Sequence, residues 1–340
     1  MPKKLAVIYT VLIVLILAVC YASITMGAFS IDDPSELFST LFQINPNEQY
    51  SILLFDLRLP RIVTAGLVGL GLGIAGAVIQ AVTRNGLADP GILGINAGAG
   101  AAIVGYMLIF QGQTETANLL AAMGMPFFGL IGGLLAAAFI FMFAWHGGNL
   151  DSGRIILVGI AINSGFSAVS LYLSLKMNPN DYEMAMVWKN GSIGSANWAY
   201  IQAALPWFLL LIPFLLAKSR LLDTIRFHED TVKSLGVSSN LEKAVLLIAC
   251  VGIISACVSI SGSMSFVGLI APHISRRLAG VLHRYSLPLS GLIGMFLVLC
   301  ADFAGKLLFQ PSEVPAGILL AIFGVPYFLY LLFKQKKAVQ

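Results

Sequence analysis

Apolar runs of about 20 residues recur from one end of the sequence to the other, and this repetition limits the fold more than any single motif. Each run is long enough to cross a hydrocarbon core of roughly 30 Å as a helix. A lipid-exposed backbone must satisfy its own polar groups, which leaves helices or closed barrels, and continuous apolar runs are a helical pattern. Of the 340 residues, 58% are hydrophobic and 11% charged, against roughly 25% charged in soluble chains. The expectation is an all-α polytopic membrane protein, one domain over residues 1–340, with no room for a sizeable soluble domain.

The runs place ten spans near 5–27, 61–82, 92–110, 125–145, 154–175, 199–217, 241–262, 266–280, 286–305 and 314–333. The segment 266–280 is short and carries Pro272, His273, Arg276 and Arg277. A re-entrant or broken helix is the alternative there. At the start, the apolar stretch from Leu5 to about Met26 exceeds the core of a signal peptide, so a retained first span is expected. With both termini cytoplasmic, fifteen of the 20 basic residues fall inside, and only Arg58, Arg61, Lys176, Lys189 and Lys306 remain outside. That asymmetry is the one the positive-inside rule requires. Small residues at helical spacing, Gly69 with Gly73 and Gly94 with Gly98, would let neighbouring helices approach closely.

Several chemistries are excluded. No Gly-x-x-x-x-Gly-Lys-Ser/Thr loop is present, so the chain has no phosphate cradle of its own. Neither a catalytic constellation nor a metal site is expected: His146, His228, His273 and His283 are scattered, and read as solvated loop residues. Cys20, Cys250, Cys257 and Cys300 lie in apolar runs without paired spacing and read as small buried hydrophobes. Net charge is +4, with basic residues in short loops instead of one aromatic-laced face, so nucleic acid is not an expected partner.

Two polar interruptions remain. The cytoplasmic connection 218–243 contains a pattern from His228 to Leu235 that predicts a short amphipathic helix, with Glu229 and Asp230 in its first turn, Val232 and Leu235 apolar, and Gly236 as a stop. It suits docking into a partner, or lying on the membrane surface. On the opposite side, Arg58 and Arg61 flank Leu59-Pro60, and Lys306 follows the ninth span. They read either as snorkelling interfacial anchors or as a dock for carboxylates of an external protein.

Five blocks carry a resemblance: DLRLPRI at 56–62, GAVIQAVTRNGLADPGILGINAGA at 76–99, EDTVKSLGV at 229–237, SFVGLIAPHISRRLAG at 265–280 and EVPAGILLAIFGVPYFLYLL at 313–332. In this order they resemble the iron-siderophore and vitamin B12 ABC-importer permeases of the FecCD type over nearly the whole chain. Within that family the sequence is most similar to permeases of Bacillus-type catecholate siderophore importers. The resemblance implies ten spans and a second permease subunit, homologous or identical, around a central pathway. It also implies two ATPase subunits that use ATP, an extracellular substrate-binding protein, and no cofactor on this chain. It makes 218–243 a coupling loop, with Glu229, Asp230, Ser234, Leu235 and Gly236 contacting the ATPase, and makes Arg58, Arg61 and Lys306 the binding-protein dock.

Two positions depart from the pattern: Gly86 where proline is more common, and Lys306 where arginine is common. Lysine offers a point charge without the bidentate fork. The expected cargo is a ferric siderophore, with cobalamin or haem as alternatives in the family. An ion-coupled secondary transporter is the rival from another class; it would place ionisable residues in mid-span, where the sequence offers only Asp302, close to an end.

Overall fold

The computed structural model describes residues 3–27, 34–44, 48–89, 91, 94–110, 119–146, 149–150, 152–227, 229–234, 239–309 and 312–339. Its elements in chain order are α1 (Lys3–Thr25), α2 (Pro34–Leu41), α3 (Glu48–Ser51), α4 (Leu59–Val82), α5 (Ile95–Ile109), α6 (Leu119–Ala144), α7 (Ser152–Ser174) and α8 (Pro179–Lys189). They continue as α9 (Trp198–Ala217), α10 (Ser219–Ile225), α11 (Glu229–Ser234), α12 (Ser239–Ser261), α13 (Val267–Ala279), α14 (His283–Leu307) and α15 (Ala316–Val339). A helix lies over each of the ten expected segments. Among the described residues the only β-structure is a two-residue ladder, Trp145–His146 with Asn149–Leu150.

Among the described residues seven helices are long and apolar enough to cross a membrane, and the apolar stretches of α5 and α15 are shorter. The eighth segment, α13, has 13 residues, a rise of about 20 Å, well short of the hydrocarbon core. Its basic Arg276 and Arg277 lie in the last turn, where cations complement the helix dipole.

The centre of the bundle is α4 and α12, buried over most of their length, whereas α1 and α7 are buried over little of theirs. Val68, Val78, Ile79, Ile253, Ile254 and Cys257 form part of one continuous apolar core. The expected close approach at Gly69 and Gly73 is made between α4 and α14: a Cβ at Gly69 would lie 2.6 Å from Met295 Cα, and Ser290 Oγ donates to the Gly73 carbonyl at 2.7 Å. Gly94 also meets a neighbouring helix closely, since a Cβ there would lie 3.0 Å from Asn163 N of α7, and it has a second task. It caps α5 with φ of +76°, a conformation that favours glycine, while Gly98 packs on Gly132 and Ala136 of α6.

The two short helices, α5 and α13, begin at adjoining turns in the interior. Asn96 Nδ2 donates to Ser263 Oγ at 3.3 Å, and Gln80 Nε2 of α4 donates to the Gly268 carbonyl at 3.2 Å. Irregular backbone at membrane depth is tolerated where protein surrounds it, and Asp89, Asn96 and Met264 around these turns are buried.

Cys250 and Cys257 are buried as expected, but Cys20 and Cys300 are only half-buried. His283 departs from the solvated-loop expectation: it opens α14 as a buried residue paired with Asp223. Sequence spacing could not show that pairing, because the two residues lie 60 positions apart.

Candidate functional site

At one end of the bundle the C-terminus of α1 meets the start of α4 and the end of α14. Residues 52–58 form a π-helical run that continues into α4, with Pro60 in its first turn, where the missing N–H costs nothing. This run is braced by Trp198, whose indole Nε1 donates to the Phe55 carbonyl at 2.7 Å. Arg58 is buried, and its guanidinium donates to the Ile24 carbonyl at the end of α1. Lys306 Nζ donates to the Ser23 carbonyl at 3.3 Å, one residue earlier. Both cations flank Gly27: a Cβ built there would lie 2.7 Å from Lys306 Cε and 3.4 Å from an Arg58 guanidinium nitrogen.

Arg61, one helical turn beyond Arg58, is held by two carboxylates. Its Nε donates to both oxygens of Asp302, at 3.0 and 2.8 Å, and its Nη1 donates to Glu313 Oε2 at 2.7 Å. The three basic residues expected from the sequence are thus brought together, but two of them are not free surface charges. Arg58 is anchored to backbone, and Arg61 is ion-paired. Asp302 and Glu313 are the partners that sequence reasoning missed. Asp302 drew notice as an acid near a span end, and its position one turn before Lys306 on α14 was the available signal.

At the opposite end, α10 and α11 lie within the 218–243 connection, whose last residues open α12. The expected helix is present as Glu229–Ser234, and His228 and Leu235 at the ends of the pattern lie outside the described residues. Val232 is fully buried, so one face of α11 packs onto the protein. Ser234 is exposed, and its hydroxyl donates to the Thr231 carbonyl at 2.8 Å. Glu229 and Asp230 lie in the first turn of α11. Leu235 and Gly236 lie outside the described residues.

Four connections tie this segment to the bundle. Arg84, just beyond α4, donates to the carbonyls of Ile225 at 3.0 Å and Phe227 at 2.6 Å. Arg226 donates to the Val281 carbonyl at 2.9 Å. Asp223 accepts the His283 backbone N–H at 2.9 Å and lies 2.7 Å from its Nδ1. Lys218 pairs with Glu242 at 2.9 Å. Leu222 and Ile225 of α10 are fully buried beneath these bonds. No group of three or more His, Cys, Asp or Glu able to hold a metal occurs among the described residues.

Comparison with known proteins agrees with this architecture. The FecCD transport family profile matches residues 13–334. The chain is 77% identical over 337 residues to the iron-uptake system permease protein FeuC of Bacillus subtilis strain 168, covering 99% of each chain. It is 40% identical to the iron(3+)-hydroxamate import system permease protein FhuG of the same organism, covering 98% of each. Among solved structures, an inward-facing ABC transporter assigned to the metal-chelate type superposes with a TM-score of 0.83 at 28% identity, covering 98% of this chain and 100% of the other. With its apolar helices, full-length coverage and shared fold, this chain is a multi-pass membrane protein that belongs to the FecCD transport family.

Proposed function

We propose that this chain is the membrane-spanning subunit of an ATP-driven importer that carries a ferric siderophore across the cytoplasmic membrane. The observation that carries this reading is identity of 77%, end to end, with an iron-uptake permease. The absence of any phosphate-binding loop in the sequence supports ATP hydrolysis on separate subunits.

The topology proposed is ten spans with both termini in the cytoplasm. The positive-inside asymmetry supports it, as does the clustering of Arg84, Lys218, Arg226 and His283 at one end of the bundle and of Arg58, Arg61 and Lys306 at the other. The first end is then cytoplasmic and offers α10 and α11 to an ATPase, with Glu229, Asp230, Ser234, Leu235 and Gly236 as contacts. The second end faces outward and receives acidic side chains of a substrate-binding protein on Arg58, Arg61 and Lys306. A second permease subunit completes the pathway.

Transport follows by alternating access. The loaded binding protein docks outside, ATP draws the ATPase subunits together, and α10 and α11 pass that movement into α4 and α14 through Arg84 and Asp223. No covalent chemistry occurs on this chain.

Reconstituted proteoliposomes test this. Uptake of a ferric catecholate siderophore should require the permease pair, the ATPase subunits, ATP and the binding protein together. Uptake driven by an ion gradient without ATPase subunits would overturn the reading.

A further inference from the structure

Arg61 divides its guanidinium between two carboxylates that share little except charge. Asp302 is part of α14, its side chain is 5% exposed, and it takes Nε through both oxygens. Glu313 belongs to the turn before α15, its side chain is 48% exposed, and it takes Nη1 through one oxygen. The first bond is built into the packed bundle, and the second is open to competition from outside.

We propose that Glu313 holds, in the undocked chain, the place that a carboxylate of the external binding protein takes on docking, so that docking exchanges one acid for another on Arg61. This rests on the docking reading above and adds an internal competitor to it. Asp302 stays in place through the exchange and keeps the guanidinium aimed outward. An exposed ion pair is weak and readily replaced, whereas a buried carboxylate that loses its cation is strongly disfavoured.

Lys306 gives the incoming group a second anchor. Its ammonium is bonded to the Ser23 carbonyl, forms no ion pair among the described residues, and lies in the electrostatic field of Arg58 and Arg61 as well as of the two acids. An arriving carboxylate therefore meets a free cation beside the one it must share.

The exchange also has somewhere to go. The turn that carries Glu313 is held by long bonds, Ser312 Oγ to the Phe309 carbonyl and Val314 N–H to the Gly305 carbonyl, both at 3.3 Å. Directly beyond it, the Gly317 N–H at the start of α15 donates to the Gly191 carbonyl at 2.9 Å, and Gly191 packs on Ser263 in the interior turn before α13. Release of Glu313 loosens the first link of that chain, so occupancy of the outer surface is reported to the interior turns.

The test is the dissociation constant of the purified binding protein for the permease–ATPase complex in nanodiscs. Glu313→Gln should tighten binding by about two- to fivefold, the range of an exposed ion pair removed as competitor. Arg61→Gln should weaken it, and adding Glu313→Gln to that background should give no gain. Arg61→Lys, which keeps the charge and loses the fork, serves if Arg61→Gln does not assemble. Unchanged or weaker binding by Glu313→Gln, or a gain that persists without Arg61, overturns the exchange while leaving the dock intact. Unaltered binding after Arg61 substitution overturns the dock itself.

Discussion

Asp223 and His283 join the connection 218–243 to the bundle through one carboxylate oxygen, which accepts the His283 backbone N–H at 2.9 Å and lies 2.7 Å from its Nδ1. The bond fastens α10 to the first residue of α14. The far end of the same helix carries Asp302 and Lys306, so one continuous helix connects the segment 218–243 to the basic cluster at the opposite end of the bundle. Asp223→Ala removes this fastening and leaves the His283 N–H without its acceptor, a loss of about 1–3 kcal/mol. ATP-driven uptake should fall in that variant while binding-protein affinity stays close to wild type. Uptake assays and binding measurements on the same reconstituted complex check both outcomes.

Arg84 makes the corresponding link from α4. Its donation to the Ile225 and Phe227 carbonyls bridges the turn between α10 and α11. In Arg84→Ala those carbonyls lose a charged donor, worth about 1.5–3 kcal/mol per bond. Limited proteolysis should then cut within 218–243 faster than in wild type; an unchanged cleavage rate counts against the bridge.

Glycines on α4 and α5 separate close packing from open space. Gly69→Ala would push a methyl group to 2.6 Å from Met295 Cα, and overpacking of this kind costs about 1–3 kcal/mol. Gly100 of α5 has nothing within 4 Å of the same added atom. Gly100→Ala should be neutral or stabilising by about 0.4–1 kcal/mol. Thermal unfolding in detergent should shift to lower temperature in Gly69→Ala and stay unchanged or rise in Gly100→Ala.

Asp89 gives the fold a pH dependence with a defined sign. It lies in the loop between α4 and α5, and burial pushes its carboxyl up from 3.8 to about 6, against the lowering effect of the Gly91 and Phe266 N–H groups. Between those values the unfolded chain ionises first, so native stability falls as pH rises through about 6. The full penalty, about 3 kcal/mol, is reached above that. Asp89→Asn removes the titration and keeps an acceptor. The variant should unfold at a higher temperature than wild type near pH 8, and the difference should shrink as pH falls toward 4.

The helices were legible because apolar length is a local property. Each of the ten runs has a helix over it, with bounds that differ by two residues or fewer for 154–175 against Ser152–Ser174 and by six at the start of α6 and the end of α15. The segment 266–280 was the doubtful one, and α13 is indeed short, because it starts only after Phe266 and stops at Gly280, whose φ of +82° ends the helix. The π-helical run at 52–58 and the separate helices α2, α3 and α8 were not expected, since they occupy connections whose periodicity is too brief to read.

The sequence by itself determined that this chain is a helical membrane protein, where its helices run, and which basic and acidic residues interrupt them. Those conclusions depend on composition and spacing along the chain, which hydrocarbon constrains directly through the cost of exposed backbone and charge. Only the tertiary structure decided who meets whom. Arg61 finds Asp302 and Glu313 across 241 and 252 positions, and His283 finds Asp223 across 60. Such pairings depend on which helix faces pack together, and Gly69 and Gly73 help set that contact by letting α4 and α14 close on one another. The basic cluster therefore reads in sequence as three exposed cations and in structure as a guanidinium already shared between a buried acid and an exposed one.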